Sequence, residues 1–143
     1  MSLSDGPLQG ELDTLRRLRR HRADRAERAL HEARRTQQAL LTHIDQAQAA
    51  LEQTRLEETR ASAQLLAQHQ GQVLTFQALK VWSAQEHSLS AGTRHEAEQL
   101  QQLHTKSQEQ EVRVGSAQRR VSECLRQVEK LQELSILLAQ EQA

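Results

Sequence analysis

Tyrosine is absent from this 143-residue chain, and phenylalanine and tryptophan occur once each, as Phe76 and Trp82. Aromatic side chains supply much of the buried area of compact cores, so a globule of this length would be short of packing material. Glycine occurs five times, and the one proline, Pro7, has none after it. An interior proline costs a helix about 3 kcal/mol and kinks it, so its absence permits very long helices. Cys124 is alone, which excludes an internal disulfide and fits a reducing compartment. No run of about 18 apolar residues occurs, which argues against direct membrane insertion. Met1 to Gly10 has no apolar stretch laid out as a signal peptide. Nineteen basic and nineteen acidic residues cancel, so no whole-chain attraction to nucleic acid is expected. The expected location is cytoplasmic.

What remains is Ala, Leu, Gln, Glu and Arg, the better helix formers, with a mean hydropathy of -0.77. That is the composition of a long helix or coiled coil. A 3-4 spacing gives a first seam: Ala23, Ala26, Leu30, Ala33, Gln37, Leu40, Ile44, Ala47, Leu51, Thr54, Glu58, Ala61 and Leu65. Leu12, Leu15 and Leu18 extend it with a local shift of register. A second seam is Leu100, Leu103, Ser107, Gln110, Val114, Ala117, Val121, Cys124, Val128, Leu131, Ser135 and Leu138. Apolar residues dominate both, the signature of helices that pair.

Between the seams the pattern breaks at Gln68 to Gln72, centred on Gly71. Glycine is the usual residue where a helix ends in left-handed backbone, and Thr75 can cap a new helix. A second candidate break, Ser88 to Thr93 around Gly92, divides the chain less evenly. The fold expected is all-α: a long antiparallel two-helix coiled-coil hairpin. Residues 1–10 form a disordered leader, helix 1 covers about 11–69, the turn about 70–75, and helix 2 about 76–141. Folding there pairs Leu12 with about Leu134 and Leu30 with about Ser116. Arms of about 60 residues would span roughly 90 Å. Two chains pairing in parallel, with helices continuous through Gly71, is the alternative. The hairpin buries both seams without a second chain.

The densest charge feature is Arg16, Arg17, Arg19, Arg20, Arg22, Arg25 and Arg28, with only Asp24 and Glu27 opposing it. A solvated face does not need basic residues all round a helix, including positions 16 and 19 of the seam. The run is therefore read as a partner-binding surface, with Arg16, Arg19, Arg20, Arg22 and Arg25 as its contacts. Glu129 and Glu133 lie near it in the hairpin and offset part of its charge. No aromatics are interleaved to stack bases, so an acidic protein surface is favoured over nucleic acid. Phe76 and Trp82 form either a hydrophobic plug closing the hairpin or an exposed anchor, one ring packing in and one facing out. The seven His show no i, i+4 pair and Cys124 adds no cluster, so no metal site or cofactor is expected. No nucleotide loop is present, a thin helical pair offers no enclosed pocket, and catalysis is not expected. Cys124 falls on the seam and is read as a small core residue.

The stretch Leu15-Arg-Arg-Leu-Arg-Arg-His-Arg-Ala-Asp-Arg-Ala-Glu-Arg-Ala29 resembles the start of the type III secretion stalk proteins of the FliJ/YscO/HrpO type. Leu79-Lys-Val-Trp82-Ser-Ala-Gln resembles a Leu-x-x-Trp segment near the start of their second helix. The short length and Gln/Ala richness look closest to the plant-pathogen HrpO branch, although the Trp-Arg-x-x-Glu-Glu kind of segment carried by several members is missing. The resemblance implies an antiparallel hairpin similar to the coiled coil of the rotary ATPase γ subunit. It implies that one end engages a hexameric secretion ATPase and that the stalk contacts an export-gate protein, peripheral to the inner membrane. Export chaperones or a stator protein are further implied partners. By position, Arg16 to Arg28 would fall at the ATPase end and Phe76 to Trp82 near the tip. The competing reading is a generic cytoplasmic coiled-coil scaffold or dimerisation protein outside secretion.

Ala-rich seams bury little area, at about 25 cal/mol per Å² of apolar surface. Helicity followed by circular dichroism should melt broadly at low temperature and rise when a partner is added. A sharp transition above about 90 °C contradicts this.

Overall fold

A computed structural model describes residues 5–142, with side chains described for 8–141. The chain forms two helices, α1 (Asp5–His69) and α2 (Phe76–Gln142), and no strand among the described residues. The all-α class and the antiparallel helical hairpin expected from the seams hold. The contacts divide the chain into two units. One joins the part of α1 up to Gln38 to the part of α2 from Glu109 onward, and the other is Ala39–Gln108.

The start of α1 corrects one expectation. Residues 5–10, expected as a disordered leader, are helical. Pro7 does not prevent this, because it falls in the first turn, where backbone N–H groups have no intrahelical partner to lose. The remainder of that leader, Met1 to Ser4, lies outside the described residues.

In the first unit Ala23, Ala26, Cys124 and Val128 form a buried cluster, with Val121 and Leu125 packed against it. Leu12, Leu30 and Leu131 are buried on the same seam. Ala23 is wholly enclosed, at 0% exposure, so its single methyl has no room to grow. Leu15 and Leu18 do not extend the seam; they are exposed, at 43% and 49%. Counting back from Ala26 by sevens gives Arg19 and then Leu12, and Arg19 occupies the position between them. Its stem is half-buried and Nη1 donates to the Gln127 carbonyl at 2.8 Å. A long basic side chain can fill a seam position this way, packing its methylenes while the head reaches a polar atom. Buried Gln110 does the same in the opposite sense, its Nε2 donating to the Ala33 carbonyl at 3.0 Å. These two contacts run α2 antiparallel to α1 in this unit, with Arg19 beside Gln127 and Ala33 beside Gln110.

In the second unit Ile44, Leu51 and Ser107 are buried. Leu40, Ala47, Ala61, Leu65, Leu100 and Leu103 are half-buried along the two expected seams. Some polar side chains at or beside the seam have partners here. Thr93 Oγ1 donates to Glu58 Oε2, and Ser62 Oγ donates to Glu86 Oε2 at 2.6 Å. The helices part at Gly71, whose φ of 77° is left-handed backbone that a side chain rarely adopts. Gln72 N–H reaches back to the His69 carbonyl at 3.3 Å. Thr75 Oγ1 then accepts from Ala78 N–H at 3.1 Å, an N-cap that starts α2. The other candidate break does not form, and α2 runs through Gly92 unbroken.

Ala23→Leu tests the close packing of the first unit. Overfilling a packed site costs about 1–3 kcal/mol, so the variant should lower the thermal midpoint measured by circular dichroism. The exposed control Ala50→Leu should change it little.

Candidate partner-binding surfaces

Two surfaces carry the residues singled out by sequence. The first belongs to the unit containing Arg16 to Arg28. Arg16, Arg17, Arg20, Arg22, Arg25 and Arg28 are exposed, and none enters an ion pair among the described residues. Glu129 and Glu133, expected to offset part of this charge, are exposed and make no such pair. Arg19 is different in kind. Its Nη1 donates to the Gln127 carbonyl in a solvent-exposed contact, so it also links the two helices.

All of these exposed Arg residues except Arg28 line grooves beside the line where α1 meets α2. On one flank Arg16, Arg17, Arg20, His21 and Asp24 join Val128 and Gln132 in lining an open groove of about 440 Å³. On another, Arg22 and Arg25 of α1 and Arg120 of α2 surround a smaller groove of about 200 Å³, with Ala26 and Ala29 beside them. Sequence reading missed Arg120, because nothing in chain order connects it to the basic run. Its distance in register from Gln127 was the available signal, visible only once Arg19 and Gln127 are known to meet.

The second surface surrounds the turn in the other unit. Trp82 is half-buried and stacks on His69, with ring centroids 5.0 Å apart and planes at 29°. Trp82 Nε1 donates to Glu86 Oε1 at 3.2 Å, and the second oxygen of Glu86 accepts from Ser62. His69, Trp82, Glu86 and Ser62 thus tie the last turns of α1 to the first turns of α2. Phe76 faces out at 71% exposure, with Lys80 Nζ 4.7 Å from its ring centre. Val73 is fully exposed and Leu79 half exposed, at 102% and 50%. The two aromatics divide as expected, Trp82 in the plug and Phe76 outside. Phe76 and Leu79, three residues apart, share a helix face and make an apolar surface continuous with the turn.

No group of three or more His, Cys, Asp or Glu side chains that could hold a metal occurs among the described residues. Cys124 is buried in the first unit's cluster, as a small core residue. No helix among the described residues is long and apolar enough to cross a membrane.

A family model described as Type III secretion protein YscO matches residues 12–143. No curated protein and no solved structure matches the chain.

Trp82→Ala removes the stacked ring and the donor to Glu86. Hydrogen exchange should then accelerate at the backbone amides of residues 78–86 while those near Cys124 keep their protection. Local openings of this kind respond to contacts within a cooperative segment. Uniform acceleration in both units would contradict a plug that acts locally.

Proposed function

Because the chain belongs to the YscO family of type III secretion proteins, we propose that it is a non-enzymatic stalk, coupling a hexameric secretion ATPase to an export-gate protein. Family membership leaves the reading as a scaffold outside secretion without support. The observation that carries the coupling role is the exposed basic surface. Six Arg stand on one stretch of α1 with no carboxylate partner among the described residues. A helix pair gains nothing from concentrating like charge there, since repulsion between neighbours on a helix is unfavourable. An acidic partner removes that cost and speeds encounter through long-range attraction.

In this reading Arg16, Arg20, Arg22 and Arg25 meet the ATPase ring, and Arg19 holds the two helices together beneath them. Phe76, with Val73 and Leu79, gives an apolar anchor for a second partner, the export gate or an export chaperone, while Trp82 keeps that anchor in place. Exposed aromatics are enriched among the residues that dominate interface energy. A stator protein is a further partner of the same apparatus. The protein would work in the cytoplasm, peripheral to the inner membrane, with no cofactor. The Gln/Ala-rich composition supports placing it nearest the HrpO branch.

Reversal of Arg16, Arg20, Arg22 and Arg25 to Glu tests this, with Arg19 left intact because of its bond to Gln127. Binding to the cognate secretion ATPase, measured by calorimetry, should fall at least about tenfold, since like charges across an interface are strongly unfavourable. Helicity should persist, because Glu and Arg have similar helix propensity. Binding by the unaltered chain should weaken as salt rises from 0.01 M to 1 M and the Debye length shrinks from about 30 Å to about 3 Å. Unchanged ATPase binding by the folded reversal variant would sink the assignment.

A further inference from the structure

Leu15 and Leu18 stand outside the seam that pairs α1 with α2, yet they are not isolated exposed leucines. With Arg22, Arg25 and Ala29 they recur at alternating steps of three and four residues, the spacing of a coiled-coil contact stripe. All five are exposed. The stripe runs alongside the buried line of Leu12, Arg19, Ala23 and Ala26 without coinciding with it. On α2, Arg120 lines the same groove as Arg22 and Arg25. Leu134, two heptads further along α2, continues the Arg120 stripe and is exposed at 47%. The first unit therefore carries a second contact stripe from both helices, apolar at Leu15, Leu18 and Leu134 and basic at Arg22, Arg25 and Arg120.

We infer that this groove is the docking site for a third helix, an acidic amphipathic segment of a partner protein that completes a three-helix coiled coil. Its leucine-type residues pack on Leu15, Leu18 and Leu134. Its carboxylates meet Arg22, Arg25 and Arg120, whose groove contains no carboxylate of this chain. Ala29, with its single methyl, leaves space for the incoming ridge of side chains. A second copy docking through the same face would set Arg against Arg or Leu against Arg, which is unfavourable in either direction. A recess between two helices also suits the ridge of a helix better than the plane of a bilayer. The inference rests on the reading of this surface as a partner site, but not on which secretion component supplies the helix.

The test uses the full chain and two fluorescent synthetic helical peptides. One carries Leu at the heptad contact positions of one half and Glu at those of the other, and its twin carries Gln in place of Glu. By fluorescence anisotropy the Glu peptide should bind at least about tenfold tighter than the Gln twin, as opposite charges meeting in a desolvated groove require. Changing Arg22, Arg25 and Arg120 together to Gln should erase that difference. Leu15→Ala, Leu18→Ala and Leu134→Ala in combination should weaken both peptides, with circular dichroism confirming that each variant keeps its helicity. Equal binding of the twins by the unaltered chain, or a Glu preference surviving in the Arg variant, overturns the proposal. Capture by phosphatidylglycerol vesicles with no peptide binding overturns it in favour of a lipid surface. Absent peptide binding with intact ATPase binding rejects the groove alone, whereas an ATPase that ignores the four-Arg reversal rejects the coupling role alone.

Discussion

A helix paired with one other helix can bury a single stripe, and every other feature of this protein answers to that restriction. The stripe recurs every three and four residues, so most side chains must face water whatever their type. No large side chain is fully buried among the described residues, and the most enclosed position of the core belongs to an alanine. Burial per residue is therefore small, and the long helices depend on their own propensity and on continuity of the seam. Proline after the first turn, or a break at Gly92, would interrupt both. Neither occurs.

With so little apolar area to specify register, polar groups take over part of that task. Arg19 reaches the backbone of α2 at Gln127, and Gln110 reaches the backbone of α1 at Ala33. A slip by one helical turn would take buried Gln110 away from the Ala33 carbonyl, and an unmet buried donor costs about 1–3 kcal/mol. The Arg19 contact is exposed to water and discriminates less. In the other unit Thr93 with Glu58 and Ser62 with Glu86 do equivalent work between side chains. Polar positions at and beside the seam thus help to fix its register. A seam of leucine alone would be more stable and less particular.

The same restriction leaves two outer surfaces exposed, and their chemistries differ. Around Gly71 the exposed apolar residues Val73, Phe76 and Leu79 stand among polar ones, while Trp82 is drawn into a plug with His69, Glu86 and Ser62. In the unit containing Arg16 to Arg28 the outer surface is basic and grooved. Both surfaces lie within residues 12–143, the stretch that the family model matches. The coupling role proposed above would need separable contacts for separate partners, and two surfaces of different chemistry would suit it.

By itself the sequence determined the class of structure and the two seams. From Ala23 to Leu65 and from Leu100 to Leu138 every residue placed on a seam is buried or half-buried, because a heptad pattern in good helix formers leaves little freedom in which side faces a partner. The extension of the first seam holds only in part, since Leu15, Arg16 and Leu18 are exposed. The turn was legible for a similar local reason: Gly71 supplies left-handed backbone and Thr75 an N-cap, both properties of single residues. The start of α1 was misjudged because Gly and Pro read as breakers, although a first turn tolerates them. What only the tertiary structure decided was the fate of side chains whose choice depends on the opposite helix. Leu15 and Leu18 look like seam residues until the register shows Arg19 in that place. Arg19, read as a partner contact, has no visible tie to Gln127, and Arg120 none to Arg22 and Arg25, until α2 folds back. Spacing along one helix names the stripe, but the stagger between two helices decides which residues share a groove, and that stagger is set by contacts from distant parts of the chain.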